Sequence, residues 1–482
     1  MVFNSIPFLL FFIVVFFVYW FPLKKNTKAQ NVFLLVASYF FYGYANLKML
    51  PLLMASTTVF YFLGIGISRS KTEGRASWLR ALGVALGVGL LLYFKYLNFF
   101  IDSFSHLFES MGLHTNWQTF NIIMPLGVSF FTFRLISYVI DIYNGEIEPT
   151  RDVIEFATYI AFFPCILSGP IDKPKFINQL HQKREFDYNQ AVDGMRQILW
   201  GMFKKIVVAD NCTVFIEKVL STYTSQSGSS LLIAAVFSTF RIYADFSGYS
   251  DMAIGVGKLL GFNITRNFNN PYFAMNIADY WRRWHMSLTT WVTDYVFMPL
   301  NFRFRHWGKI GMILAIIINM VVVGLWHGAN WTFVLFGLYH GLLFIPLVLS
   351  GAFTKKTQLR TNKIGLPVLK DFGRMLLTFA LVIIGGIIFR AESVRQIGEY
   401  MAGMMQWGTL RACYRFFIQP DVWQISVFIV MMMIIEWIQK DKEHGLEISN
   451  RPGCLRFAIY YILIMLILNN IGQEQTFLYF QF

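Results

Sequence analysis

The chain has 482 residues, of which 56% are hydrophobic, 18% aromatic and only 14% charged. A soluble domain carries about 25% charged residues, so a water-exposed globule could not hide this much apolar side chain, and the bilayer is the solvent that the composition fits. The net charge of +14 does not point to nucleic acid, because Lys and Arg sit in short clusters between apolar runs, such as Lys24, Lys25 and Lys28 or Lys355, Lys356, Arg360 and Lys363, as in cytoplasmic loops.

The first apolar stretch, Ile6 to Phe21, has no basic segment before it and no small-residue cleavage site after it. It reads as a retained first span rather than a signal peptide. Runs of spanning length, roughly 17–25 residues, are expected at 3–21, 30–46, 50–68, 79–97, 121–142, 197–220, 231–252, 310–326, 330–350, 374–390, 423–438 and 456–471. Most Lys and Arg fall in 24–28, 69–80, 172–196, 262–309, 353–374 and 439–456, and the loops near 102–117 and 221–229 hold none. Placing the basic loops in the cytoplasm puts the N-terminus outside. Both flanks of 153–170 then lie inside, and that segment contains Pro164 and ends Ser168-Gly169-Pro170. A re-entrant helix resolves the conflict, and such pieces are tolerated only within protein or beside a water-filled cavity. The expectation is an all-α polytopic membrane protein of about twelve transmembrane helices, with re-entrant and interfacial helices around a central passage and both ends outside.

The block 262–309 is rich in Asn, Pro and aromatics, which suits short helices lying at or dipping into the membrane. Small-xxx-small steps at Gly83/Gly87, Gly257/Gly261, Gly324/Gly328 and Gly337/Gly341 allow close helix packing. The four cysteines, Cys165, Cys212, Cys413 and Cys454, are scattered with no CxxC and no His-Cys cluster, which argues against zinc and against a disulfide framework.

Ionisable groups in spans are costly and need a reason. His327, in GLWHGANW beside Trp326, Gly328 and Asn330, stands where one span ends and the next begins. It could be a general base or an interfacial histidine in a tryptophan belt. His285, in YWRRWHMSLTTW, shares a helix face with Trp281, Trp284 and Leu288 by the i, i+3, i+4 rule. It could sit at the mouth of a pathway, with Arg282 and Arg283 attracting an anionic group, or on an aromatic interfacial helix with snorkelling arginines. Arg241 with Asp245, and Arg134 with Asp141, have spacings that suit structural ion pairs. His340 would face away from His327 if one helix carried both. No GxSxG, HExxH or P-loop is present.

Six stretches together carry a resemblance: PLGVSFFTFRLISYVIDIYNG (125–145), FFPCILSGPI (162–171), ADFSGYSDMAIGVGKLLGF (244–262), NPYFAMNIADYWRRWHMSLTTWV (270–292), GLWHGANWTFVLFGLYHG (324–341) and FLYFQF (477–482). In this order they resemble the membrane-bound O-acyltransferase (MBOAT) family, and most closely its bacterial alginate O-acetyltransferase branch. The resemblance implies one membrane-embedded domain over 1–482, with a core at about 121–350 and a tail motif at 477–482. It makes His327 the catalytic histidine, His285 the second histidine of the pathway and Tyr479 an acyl relay. Arg282, Arg283, Trp326 and Asn330 would bind the donor or line the pathway. Acetyl-CoA or another acyl thioester would be the donor, with no bound cofactor and no metal.

The expected partners are membrane lipid, an acyl-CoA or acyl-carrier protein on the cytoplasmic side and an esterase-like acetyltransferase on the other. The setting would be the bacterial cytoplasmic (inner) membrane, and the product an acylated exopolysaccharide or peptidoglycan. D-alanyl transfer from a carrier protein to a cell-wall polymer is the alternative within the family. A transporter or flippase is the alternative outside it, and would predict inverted halves, which the sequence does not display.

Overall fold

The computed structural model describes residues 1–113, 117–355, 357–406, 419–472 and 477. Among these, structure is helical apart from one isolated antiparallel bridge, Thr361 with Pro367. Seven helical stretches are long and apolar enough to cross a membrane: Thr27–Ser68, Glu73–Ser110, Gly228–Leu259, Arg305–His327, Trp331–Leu349, Leu369–Arg390 and Pro420–Ile438. The first holds both runs expected at 30–46 and 50–68. The shorter Ile6–Trp20 and Gly453–Asn469 are also apolar. The runs expected at 121–142 and 197–220 are helical too, but the first is a helix of 16 residues and the second carries Lys204, Lys205, Asp210, Glu217 and Lys218.

The described residues form two compact units, 1–194 with 253–265, and 195–252 with 266–482. In the first, α1 (Ile6–Trp20), α2 (Thr27–Asn46), α3 (Leu50–Ser68), α4 (Glu73–Leu91) and α5 (Leu97–Ser110) precede the buried α6 (Val128–Tyr143). Side chains at Gly83 and Gly87 would press on Val139 and Ile136 of α6, so the small-residue step at 83/87 lets α4 lie close to α6. The segment expected to re-enter is a short helix, α7 (Val153–Ala161), which stops at Phe162 and runs through buried turns to Gly169. A broken helix leaves carbonyls without helical partners. Arg134 supplies the donors: its guanidinium gives hydrogen bonds to the carbonyls of Tyr159 (3.1 Å), Ile160 (3.3 Å) and Pro170 (3.2 Å). Arg134 therefore braces the break and does not pair with Asp141, because three desolvated carbonyls need its donors.

The remaining helices, in order, are α8 (Ile177–His181), α9 (Tyr188–Met202), α10 (Asp210–Leu220), α11 (Gly228–Leu259), α12 (Ile277–Trp281), α13 (Met286–Val292), α14 (Met298–Arg303), α15 (Gly308–His327), α16 (Trp331–Leu343), α17 (Ile345–Leu349), α18 (Leu369–Arg390), α19 (Val394–Met405), α20 (Pro420–Ile438) and α21 (Gly453–Asn469). Within the second unit, the stretch Phe203–Ala209 widens into a π-helical turn that buries Lys204 and Lys205. Lys205 meets Asp245 at 2.8 Å and Asp210 at 2.9 Å, and Lys204 meets Asp251 at 2.6 Å. The sequence pairing of Asp245 with Arg241 is thus replaced by a pairing with Lys205. Helical spacing along one element could not foresee a cation brought in from another.

Candidate functional site

The site lies in the second unit and is built where two helical stretches are interrupted. The first interruption is at 282–285. Helix α12 opens with a reciprocal cap: the Asn276 side chain accepts from the Asp279 amide at 2.8 Å, and the Asp279 carboxylate accepts from the Met275 amide at 3.2 Å. Only five residues later it ends, and His285 takes a left-handed backbone conformation, φ 44° and ψ 51°, at the start of α13. A non-glycine residue there is strained and needs support. Asn267 provides it. Its backbone carbonyl accepts from the Met286 amide at 2.8 Å. Its side-chain oxygen accepts from Ser287 Oγ (2.8 Å), the Ser287 amide (3.3 Å) and His285 Nδ1 (3.1 Å). The amide nitrogen of Asn267 in turn donates to Ser250 Oγ at 3.1 Å.

An amide oxygen only accepts, so Nδ1 of His285 carries the proton and Nε2 holds a lone pair. His285 is fully buried, with Phe246 edge-on at 4.6 Å and Trp326 at 5.4 Å between ring centroids. Burial in this aromatic setting drives its pKa down to about 3, so the ring is neutral at physiological pH. The continuous face of Trp281, Trp284, His285 and Leu288 expected from periodicity does not exist, because the helix breaks before His285. Nor does His285 stand at an open mouth.

The second interruption is Gly328-Ala329-Asn330. Helix α15 ends on His327, Gly328 is extended, and the Asn330 side chain caps α16 by accepting from the Thr332 amide at 3.1 Å. The two helices pack at backbone contact: a side chain on Gly324 would strike the Phe333 carbonyl, and one on Gly337 the Met320 carbonyl. The small-residue steps at 324/328 and 337/341 therefore hold the His327 end of α15 in place. His327 is 3% exposed. Its ring lies 6.4 Å from that of His285, 5.0 Å from Trp326 and 5.0 Å from Phe389.

Two histidines distant in sequence thus come together, with Trp326 against both. His340 joins them. It rides on α16, not on the helix of His327, and accepts at Nδ1 from the Trp281 indole N–H at 3.3 Å. His327 and His340 both line a cavity of about 30 Å³, with Tyr272, Tyr280, Trp284 and Phe389. That volume holds about two waters.

The other expected residues spread around this centre. Arg282 is exposed and donates to the carbonyl of Phe353 at 2.6 Å. Arg283 pairs with Asp279 at 2.9 Å. Asn330 is engaged at both ends, since its amide nitrogen also donates to the Glu392 carbonyl at 3.0 Å. Tyr479 lies outside the described residues. Phe477, two positions earlier, is buried, stacks on Tyr249 at 4.7 Å and lies 6.2 Å from Phe246, the ring against His285. Sequence reasoning missed Asn267, and it set His340 aside only for the case in which one helix carried it with His327, whereas the two stand on separate helices. Asn267 is one of four asparagines in 263–270, and nothing in its spacing singles it out.

The model of the MBOAT, membrane-bound O-acyltransferase family, matches residues 150–386, a stretch that contains both histidines. The "Probable alginate O-acetylase" of Pseudomonas aeruginosa is 36% identical over 416 residues, 85% of this chain and 76% of that one. The "Peptidoglycan O-acetyltransferase" of Helicobacter pylori is 29% identical and spans 100% of this chain and 98% of that one. The "Teichoic acid D-alanyltransferase" of Streptococcus thermophilus is 32% identical over 252 residues, 49% of this chain and 59% of that one.

Proposed function

The chain belongs to the membrane-bound O-acyltransferase family and is a multi-pass membrane O-acyltransferase, and on that premise we propose that it moves an acetyl group from a cytoplasmic thioester, acetyl-CoA, towards an extracytoplasmic polysaccharide with the help of a partner protein. The observation that carries this reading is the pair of buried histidines 6.4 Å apart against Trp326. His327 is the general base on the acceptor hydroxyl, a role typically worth about 10²–10⁴-fold in rate. His285, neutral and held in one tautomer by Asn267, carries its lone pair on Nε2 and orients the reacting group. Arg282, exposed, and Arg283 beside it meet the donor's phosphates.

The narrow cavity at His327, about 30 Å³, favours a short acyl group over a fatty chain. The alignments favour acetyl over D-alanyl, since the O-acetyl relatives match 85% or more of the chain and the D-alanyl relative 49%. Phe477 against the His285 wall supports a place for the tail in the chemistry, with Tyr479 as acyl relay. The membrane is the bacterial inner membrane, with the donor on its cytoplasmic side.

The test is transfer of radiolabelled acetyl from acetyl-CoA in membranes that contain the protein at normal level. His327→Ala should abolish transfer, and full transfer by that variant would sink the assignment. Tyr479→Phe should lower transfer if the relay operates; unchanged transfer removes the relay and leaves the base.

A further inference from the structure

A third histidine, His340, lines the cavity beside His327 and has no part in the base-and-relay chemistry. It rides on α16 and is 1% exposed. The Trp281 indole N–H donates to its Nδ1 at 3.3 Å. An indole nitrogen only donates, so Nδ1 accepts and the ring proton stands on Nε2. A proton on both ring nitrogens would set two N–H groups against each other, so the same bond holds the ring neutral. Its orientation is fixed from three sides. Trp281 lies edge-on at 5.2 Å between ring centroids, Phe336 packs at 4.7 Å and Tyr280 lies parallel at 6.3 Å.

The Nε2–H is a donor without an acceptor. No hydrogen bond reaches it among the described residues, and a buried polar group left so costs free energy unless something bonds it. The facing helix leaves it uncovered. A side chain on Gly385 of α18 would bring its Cβ to 2.6 Å from Nε2. Glycine inside a helix costs stability relative to alanine, and here it leaves this N–H room for a guest atom. Two hydroxyls on the same cavity wall are already committed, Tyr272 to the Thr239 carbonyl at 2.5 Å and Thr239 to the Ala235 carbonyl at 2.9 Å. With Nδ1 taken by the indole, the open side of His340 can only give a hydrogen bond. Acyl transfer needs such a donor, because the carbonyl oxygen gains negative charge as the thioester is attacked, away from bulk water. A neutral imidazole suits the task, since it polarises a carbonyl without giving up its proton.

We propose that His340 is a further catalytic residue, which donates its Nε2–H to the thioester carbonyl oxygen and stabilises the oxyanion that forms there. The proposal rests on the acyltransferase reading above and deepens it. In the step, His327 takes the proton of the attacking hydroxyl, that of Tyr479 in the relay. The C–O bond forms, and the carbonyl π pair moves onto the oxygen that His340 holds. As that pair returns, the C–S bond breaks and the thiolate takes the proton from the His327 imidazolium. His340 keeps its own proton throughout.

The experiment has two parts. In the acetyl-transfer assay, His340→Leu should lower the maximal rate about 10²–10³-fold, the usual effect of deleting one oxyanion donor. The half-saturating acetyl-CoA concentration should stay within about threefold, because the bond strengthens as charge develops. His340→Gln, which keeps an N–H, should retain about tenfold more activity than His340→Leu. Gly385→Ala covers or displaces the N–H without changing the histidine itself. It should reproduce the rate loss, so the test stands even where the leucine variant does not fold. The second part is the infrared carbonyl band of acetyl-CoA, isotopically labelled at the carbonyl carbon and bound to the purified His327→Asn chain in detergent, which holds the donor without turnover. The band should lie at lower frequency there than in His327→Asn combined with His340→Leu or with Gly385→Ala, a shift that a merely structural histidine would not produce. An unchanged band in all three proteins, a parental maximal rate in His340→Leu or Gly385→Ala, or a loss confined to the half-saturating concentration overturns the proposal and leaves the acyltransferase reading standing. Failure of that reading shows separately, as no acetyl transfer by the parent chain or as unimpaired transfer by His327→Asn, and takes the proposal with it.

Discussion

At the scale of single residues, His285 and Asn267 act as one unit. A left-handed backbone at a histidine costs about 1–3 kcal/mol, and the asparagine offsets it by taking His285 Nδ1, the Ser287 amide and Ser287 Oγ on one oxygen. Replacing Asn267 by Leu leaves those donors buried and unmet, at about 1–3 kcal/mol for the group. The histidine also loses the bond that fixes its tautomer. Acyl transfer by Asn267→Leu should fall roughly 10- to 100-fold, whereas Asn267→Asp, which keeps an acceptor, should retain more activity in the same assay. The burial of His285 has a second consequence. Its folded pKa of about 3 lies below the ordinary 6.5. Between those values the unfolded chain binds a proton that the folded chain refuses, so stability falls as pH drops below about 6.5 and is indifferent to this group above it. The thermal midpoint in detergent should therefore decline from pH 6.5 to pH 4, and His285→Gln should flatten the decline. The histidines themselves were legible as residues of interest from their motifs. Their mutual distance was not, because 42 residues of chain and two helix breaks separate them in sequence.

At the scale of elements, the α15–α16 pair places the end that bears His327. The pattern Gly324/Gly328 and Gly337/Gly341 was visible in the sequence, and the structure gives it a concrete meaning as backbone-to-backbone contact. Overpacking usually costs about 1–3 kcal/mol. Here the added atoms would meet backbone carbonyls, which cannot rotate away. Gly337→Val should therefore separate the helices and lose both thermal stability and acyl transfer, while Gly341→Ala, facing Ile317 at 3.0 Å, should be milder. Thermal midpoints of the two variants compared side by side check the order. The break at 282–285 was hidden for a physical reason. YWRRWHMSLTTW contains no glycine or proline, so nothing local stops a helix. What stops it is tertiary: the Asn269 amide bonds the Arg283 carbonyl at 2.9 Å and Asn267 claims the Met286 amide. The same holds for Arg134, whose partners are carbonyls freed by a break 25 or more residues away.

At the scale of the whole molecule, composition fixed the solvent and charge fixed an orientation that can be tested directly. By the positive-inside bias, the clusters of Lys and Arg in 353–374 and 439–456 assign those loops to the cytoplasmic side, and labelling tests the assignment. The chain carries its own reporter, because Cys454 is exposed while Cys165 and Cys212 are buried. With Cys413 changed to Ser, a membrane-impermeant maleimide should leave intact cells unlabelled and should modify Cys454 once the membrane is opened. Adding Cys454→Ser should remove that signal. The outcome bears on the chemistry as well as on the map. Helix α21 begins at Gly453 and α18 ends at Arg390, and the charge pattern assigns these points to opposite faces. If Cys454 labels only from inside, the end of α18 at Arg390 lies on the extracytoplasmic side, opposite the compartment proposed for the donor. Labelling of Cys454 in intact cells would invert the chain and put the Lys- and Arg-rich loops outside, against the proposed entry of the donor from the cytoplasm.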